Sequence, residues 1–233
     1  MKSSLIDVCV THFGNKYSTK YIDNLEKGIA SNYSSDFNLV VKTDCPNQHW
    51  DKISFFNTDK PTIVMDIDML VVGNLDNLFN YKYQSGLAAF QRWWSPNRNS
   101  INGGFYKIIP NEHTQFIHDK FYNDPNHHIN KYGNMVGTPW KGEQTFVNNN
   151  IRKITNLPNM WLGVYADFID HKGSIVYQKT LNTIYNKIFE SSLIDNDKFG
   201  PKLKLVHFIY EDNMIEDHAD WIQELWHTPV STV

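Results

Sequence analysis

TIVMDIDMLVVGNLDNLF, residues 62–79, decides how the whole chain is read. An apolar run enters Asp66 and Asp68, with one residue between them, and then turns apolar again. Ionised carboxylates are costly to bury without a partner, so a pair at the end of a buried strand predicts something positive beside it. The i, i+2 spacing puts both carboxylates on one side of a locally extended chain. Two carboxylates sharing a site repel unless a cation neutralises them. Oxygen ligands favour Mg²⁺, Mn²⁺ or Ca²⁺ over zinc, and an ion held by two carboxylates keeps open positions that diphosphate oxygens fill well. The plainer alternative is that the pair caps the following turn or a helix N-terminus.

The segments upstream give this pair its setting. LIDVCV (5–10) and FNLVVKTD (37–44) are β-branched runs that read as buried strands. Between them, Tyr21, Ile22, Leu25 and Ile29 recur at helical spacing, with Ser18 placed to cap the helix. HWDKISFFN reads as a short amphipathic helix, and TIVMDID as the third strand. Alternating strands and helices predict parallel pairing with helices over the sheet faces. In such a sheet, ligands bind outside the carboxyl ends of the strands, where Asp66 and Asp68 fall.

Downstream the pattern is mixed. LDNLFNY reads as a short helix, and GLAAFQRWW and NGGFYKI (102–108) as strands. NEHTQFIHDKFYND reads as a helix with Phe116, Ile117, Lys120 and Phe121 on one side. Residues 124–142, rich in Pro, Gly, Asn and His, read as a long loop that includes His127 and His128. EQTFVNNNI gives a helical turn or two, KLKLVHF (202–208) a late strand, and HADWIQELW (218–226) a terminal amphipathic helix. The expected fold is a single α/β domain over 1–233. Residues 1–80 form its Rossmann-like, nucleotide-binding half, and 81–233 a mixed, acceptor-binding half.

Bulk properties exclude several classes. The 233 residues are 41% hydrophobic and 20% charged, a globular composition. A net charge of −3 provides no basic field for nucleic acid. Cys9 and Cys45 read as buried thiols in a reducing compartment, and no CxxC or Cys/His zinc pattern occurs. The N-terminal apolar run is too short for a signal peptide. No stretch reaches the ~20 apolar residues of a membrane span. A soluble, cytoplasmic protein is expected, with peripheral membrane contact through exposed aromatics left open. No GxGxxG follows the first strand, which argues against a redox Rossmann enzyme. THFGNKYS has one glycine and one lysine, unlike the glycine-rich basic loop of a nucleotidyltransferase.

IVMDIDMLVVGNLDNLF resembles the DxD segment of GT-A-fold glycosyltransferases. THFGNKYSTKYIDNLEKGI resembles the first strand, nucleotide-contacting loop and first helix of bacterial members, and HWDKISFF their Trp-x-Lys segment. NGGFYKI, GEQTFVNN and KLVHFIYEDN resemble their Asn-Ala-Gly, Gly-Asp-Gln and C-terminal His-Phe segments, in the same order. The likeness spans roughly 5 to 226 and is nearest to glycosyltransferase family eight: glycogenin-like and bacterial galactosyltransferase-like enzymes, with related bacterial or viral ones. The resemblance implies a GT-A fold, an α/β domain with a central, mostly parallel mixed sheet flanked by helices. It implies Mn²⁺ or Mg²⁺ held by Asp66, Asp68 and His207, with Asp66 also near the ribose. For His207 the alternative is a buried histidine bonded to backbone. Thr11, Phe13, Asn15 and Asp44 would meet the nucleoside, or only form turns. Lys52 offers a cation to phosphate or to an acidic neighbour, or is a surface lysine. Asn102, Gly103 and Gly104 would hold the sugar, or form a tight turn or bulge. Gln144 would lie beside the reacting sugar carbon. Glu143 would be a sugar-binding carboxylate or a base, or only a favourable charge at a helix N-terminus. Trp140, like Trp93 and Trp94, would stack on acceptor sugar or pack in the core.

Three features depart from the family pattern. Glu143 replaces Asp, the NGG replaces a variable segment, and HFIYEDN lacks the Gly and Lys-Pro-Trp whose lysine supports the donor phosphates. Lys202, Lys204 and Arg92 are the candidate substitutes. The resulting expectation is a metal-dependent, retaining transfer of sugar from a UDP-sugar to a glycan or glycolipid-type hydroxyl. An inverting enzyme with Glu143 as base, and a nucleotide-sugar-binding protein without transfer activity, are the alternatives.

Overall fold

The computed structural model describes residues 5–84, 86–92, 100–133, 142–164, 203–208, 215–217 and 220–227. Its centre is a six-stranded sheet in the order β2 (Phe37–Lys42), β1 (Ile6–Thr11), β3 (Thr62–Met65), β6 (Ile101–Ile109), β5 (Gly86–Gln91), β7 (Ile154–Asn156). Neighbouring strands are parallel except where β6 runs against β3 and β5. A smaller sheet joins β4 (Met69–Val71), β9 (Leu205–His207) and β8 (Leu162–Val164).

The continuous apolar runs follow from burial of the central sheet on both faces. Alternate residues point to opposite sides. Val8, Val10, Ile63, Met65 and Phe105 join one core, with Tyr21, Leu25 and Ile29 of helix α1 (Lys20–Asn32). Cys9, Val64, Tyr106 and Ile108 join the other. That second core packs on Trp50, Ile53 and Phe56 of the 3₁₀ helix Gln48–Phe56. It is closed by Ile117 and Phe121 of α3 (Glu112–Asn123) and Phe146 of α5 (Glu143–Asn150). The short helix α2 is Asp76–Phe79. The terminal helix α6, Asp220–His227, sets Trp226 edge-on against Tyr21. Cys9 and Cys45 are free, and burial, with help from Asp7, pushes the Cys9 thiol up to about 12.

Several local readings are corrected. Residues 125–133 are not loop but helix α4 (Pro125–Gly133). Pro125 suits a first helical position, and Asp124 accepts the His127 N–H at 3.0 Å. His128 is therefore a buried helical residue, with Nε2 3.0 Å from the Lys120 carbonyl. On α3 the buried face is Thr114, Ile117 and Phe121, while Phe116 faces outward with the Lys120 ammonium over its ring. The α1 cap at Thr19 has no side-chain hydrogen bond, and Ser18 contributes its backbone carbonyl, to Tyr21 N–H at 3.1 Å. The DID stretch is not extended: Ile67 and Asp68 form a turn between β3 and β4. No helix among the described residues is long and apolar enough to cross a membrane.

Candidate metal centre and sugar site

Asp66 follows β3 at the carboxyl edge of the sheet, and its N–H bonds the Gly104 carbonyl at 2.9 Å. Because β6 runs the other way, its N-terminal residues Asn102, Gly103 and Gly104 reach the same edge. β4 then leaves the turn and pairs antiparallel with β9, setting Met69 opposite His207. Phe208 N–H closes this junction on the Asp68 carbonyl at 3.0 Å. The second sheet thus carries a distant histidine to the aspartates.

Asp66, Asp68 and His207 each offer one ligand atom, and these atoms lie within 4.8 Å of one another. His207 Nε2 is 3.3 Å from Asp68 Oδ1 and 3.6 Å from Asp66 Oδ2. Two carboxylate oxygens and one imidazole nitrogen form a donor set that could hold a divalent cation. Behind the ring, Asn102 Nδ2 lies 3.3 Å from Nδ1, and its Oδ1 accepts Gly104 N–H at 2.9 Å. Asn102, expected at the sugar, is therefore engaged in orienting His207.

Gly104 is glycine because there is no room for more. An added Cβ would lie 2.4 Å from His207 Cε1 and 2.6 Å from Met69 Cε. Gly104→Ala is expected to lower stability by about 1–3 kcal/mol and push the ring off the aspartates. The urea midpoint of the variant checks this, and an unchanged midpoint would contradict the close approach.

Tyr17, which the sequence reading passed over, donates its hydroxyl to Asp68 Oδ2 at 2.8 Å. Oδ1 is left facing His207. Burial works to raise the Asp68 carboxyl, but His207, the Tyr17 hydroxyl and Lys52 outweigh it and hold it below the usual range. Tyr17 titrates high in turn, from burial first and Asp68 second. Partners behind a metal ligand typically contribute 10–100-fold to affinity. Tyr17→Phe is expected to weaken Mn²⁺ binding at least ~10-fold by calorimetry, and wild-type affinity in the variant would sink that role.

A second cluster adjoins the first. Lys52 is 4% exposed, so it is no surface lysine. Its ammonium pairs with Asp66 Oδ1, donates to Gly103 O at 3.0 Å and lies 3.4 Å from Glu143 Oε1. Within the chain, this cation meets acidic neighbours. Burial alone would depress this amine, but Asp66 and Glu143 outweigh it and raise the pKa. Glu143 is itself 4% exposed. Its Oε1 also accepts the Tyr106 hydroxyl at 3.1 Å, and Oε2 takes the Gln144 N–H. The extra methylene relative to aspartate carries the carboxylate to Tyr106 and Lys52. Gln144 Oε1 accepts Gly103 N–H at 3.0 Å, tying α5 to the same strand. A Cβ on Gly103 would lie 2.5 Å from Glu143 Oε1.

Thr11 closes β1, and Phe13 and the exposed Asn15 follow it on this edge. Asp44 is exposed just past β2, on the same edge. Arg92 follows β5 there too. Lys204 is corrected as a phosphate candidate: it is buried, bonds the Asn74 carbonyl and lies 5.3 Å over the Trp161 ring. Lys202, Trp93, Trp94 and Trp140 lie outside the described residues.

No protein-family profile matches the sequence, and no curated protein matches it. Solved structures do. The galactosyltransferase LgtC, in complex with donor and acceptor sugar analogues, aligns over 97% of both chains with a TM-score of 0.59 at 11% identity. The glycosyltransferase GlyE of Streptococcus pneumoniae TIGR4 aligns over 99% of this chain and 66% of its own, with a TM-score of 0.53 at 14% identity. The bifunctional WbbM aligns over 96% of this chain and 51% of its own, with a TM-score of 0.57 at 11% identity. The chain has the GT-A fold. In GT-A terms the cluster sits where an α/β sheet presents ligands, at the carboxyl ends of its strands. Identities this low establish the architecture; chemistry has to be argued from the side chains.

Proposed function

We propose that this GT-A chain is a metal-dependent glycosyltransferase that moves a sugar from a nucleoside diphosphate donor, most naturally a UDP-sugar, to a hydroxyl of a glycan or glycolipid-type acceptor. The observation that carries this reading is the convergence of Asp66, Asp68 and His207 within 4.8 Å at the carboxyl edge of the sheet. These three residues would hold Mn²⁺ or Mg²⁺. When bound, the ion supplies Lewis-acid stabilisation to the leaving diphosphate. Residues 1–80 would form the nucleotide half, with Thr11, Phe13, Asn15 and Asp44 around the nucleoside. Residues 81–233 would form the acceptor half, with Trp140 stacking on acceptor sugar. Arg92 is the basic candidate whose backbone position suits the diphosphate. Two free thiols suit a reducing, cytoplasmic setting.

The geometry favours retention over inversion. An inverting enzyme needs a base that reaches the acceptor hydroxyl. Glu143 is buried, and both its oxygens are engaged by Tyr106, Lys52 and Gln144 N–H. It acts here as a strut that holds Lys52 against Asp66. Gln144, fixed by Gly103, would stand beside the donor sugar. In a retaining transfer, a phosphate oxygen of the departing UDP takes the acceptor proton.

The test is UDP release from a panel of UDP-sugars with Mn²⁺ and simple glycoside acceptors, with the product anomer read by NMR. Turnover of at least one donor with retained configuration is expected. An inverted product would overturn the retaining assignment. UDP binding without release from any donor would favour a binding protein.

A further inference from the structure

Away from the metal centre, the described residues leave two large hydrophobic side chains exposed, Leu5 and Phe116. Phe116 is 49% exposed and lines a cleft of about 240 Å³ with Glu112, His113, Asn150 and Arg152. The cleft joins the start of α3 to the end of α5. Ligand sites pair aromatic or apolar surface with a few placed polar groups, and here one half-exposed ring stands among four polar side chains.

The lining selects the ligand. Glu112 supplies an acceptor and Arg152 a donor fork. Asn150 Nδ2 is bonded to Phe146 O at 2.7 Å, which leaves its Oδ1 as an acceptor. His113 Nε2 is 3.7 Å from Glu112 Oε1, beyond a direct hydrogen bond, so both keep capacity for a third group. An anion would meet the Glu112 carboxylate, and an apolar ligand would bury the Arg152 guanidinium. A pyranose matches both halves: its C–H face would pack on the part of the Phe116 ring that the Lys120 ammonium leaves exposed, and its hydroxyls need donors and acceptors together. The volume holds one such ring.

The cleft is not part of the metal centre. Helix α5 begins at Glu143, in the Lys52 network, and ends at Asn150, in the cleft. Those ends lie roughly 10 Å apart at ~1.5 Å per residue. β6 likewise starts at Ile101, next to Asn102 beside His207, and delivers the chain to α3 at the opposite sheet edge.

We propose that the Phe116 cleft is a second, non-catalytic glycan-binding site that takes a single pyranose residue. It goes beyond the proposed transfer and does not depend on it, because the cleft's chemistry is independent of metal and donor. A glycan engaged there and at the reaction centre would be held at two points, which raises its effective concentration at the second.

The test uses full-length protein carrying ¹³C-labelled phenylalanine, with the Phe116 ring signal identified by its absence in Phe116→Ala. Methyl β-D-galactopyranoside, methyl α-D-glucopyranoside and the methyl glycoside of N-acetylglucosamine are titrated separately. At least one is expected to shift the Phe116 signal saturably, and Arg152→Ala is expected to weaken that binding at least threefold. An immobile Phe116 signal with all three glycosides would overturn the proposal, as would wild-type affinity in Arg152→Ala. A shift produced by inorganic phosphate and by none of the glycosides would make the cleft an anion site and overturn it too. Failure of UDP to bind at the metal centre would leave these results unaffected, so the two readings fail separately.

Discussion

Replacing Asp68 with asparagine is expected to abolish Mn²⁺-dependent donor binding and lower turnover at least a thousandfold. Asp68 Oδ1 faces His207 Nε2 at 3.3 Å, while Oδ2 is fixed by the Tyr17 hydroxyl at 2.8 Å. One oxygen is thus oriented and the other presented. An amide keeps the shape and a Tyr17 acceptor but removes the charge that a hard cation requires. A thousandfold loss is about 4 kcal/mol, a scale that fits losing a charged ligand from a set of three. The fold should persist, because the backbone bond from Phe208 N–H to the Asp68 carbonyl is untouched. Coupled UDP-release assays with a thermal melt decide it. Activity within tenfold of wild type would remove Asp68 from the reaction.

Replacing Lys52 with methionine should act mainly on stability. The ammonium is shared by Asp66, Glu143 and the Gly103 carbonyl. Methionine fills the space but leaves two carboxylates facing each other beside an unpaired carbonyl. Removing one partner of a buried ion pair typically costs about 3–5 kcal/mol. The Asp66 side chain is 26% exposed, so water relieves part of this and the lower end, about 3 kcal/mol, applies. For a chain of this size, that shifts Tm by roughly 6–12 °C. Adding Glu143→Gln should recover part of the loss, because one uncompensated charge disappears. A melt within about 2 °C of wild type would show that the pairing contributes little. Additive losses in the double variant would show that the two residues do not interact.

The fold was legible because the central strands are buried on both sides and read as unbroken apolar runs. Their alternation with Tyr21-Leu25-Ile29 and Trp50-Ile53-Phe56 is what helices over a sheet require. Of the second sheet, only β9 was legible, within KLKLVHF. β4 and β8 are three residues each, too short to carry periodicity, and the sheet exists because β9 returns from far along the chain. Helix α4 was hidden by the polar and proline-rich composition of its segment, although Asp124-Pro125 is itself a helix-start signal. At the candidate site, Asp66, Asp68 and His207 come together as expected. Tyr17 and Tyr106 gave no signal, because a hydroxyl acting on a distant carboxylate leaves no local pattern. Lys52 was visible as a cation, but only its burial beside Glu143 shows which charges it meets.

The measurement closest to the central claim is UDP binding by calorimetry on the wild-type chain, once with Mn²⁺ and once with excess chelator. Saturable binding that appears with Mn²⁺ and disappears with chelator is the predicted result, with the two carboxylates and His207 holding the cation against the diphosphate. Equal affinity under both conditions would contradict it, and Asp66 and Asp68 would then stand as structural partners of Lys52, Tyr17 and the turn.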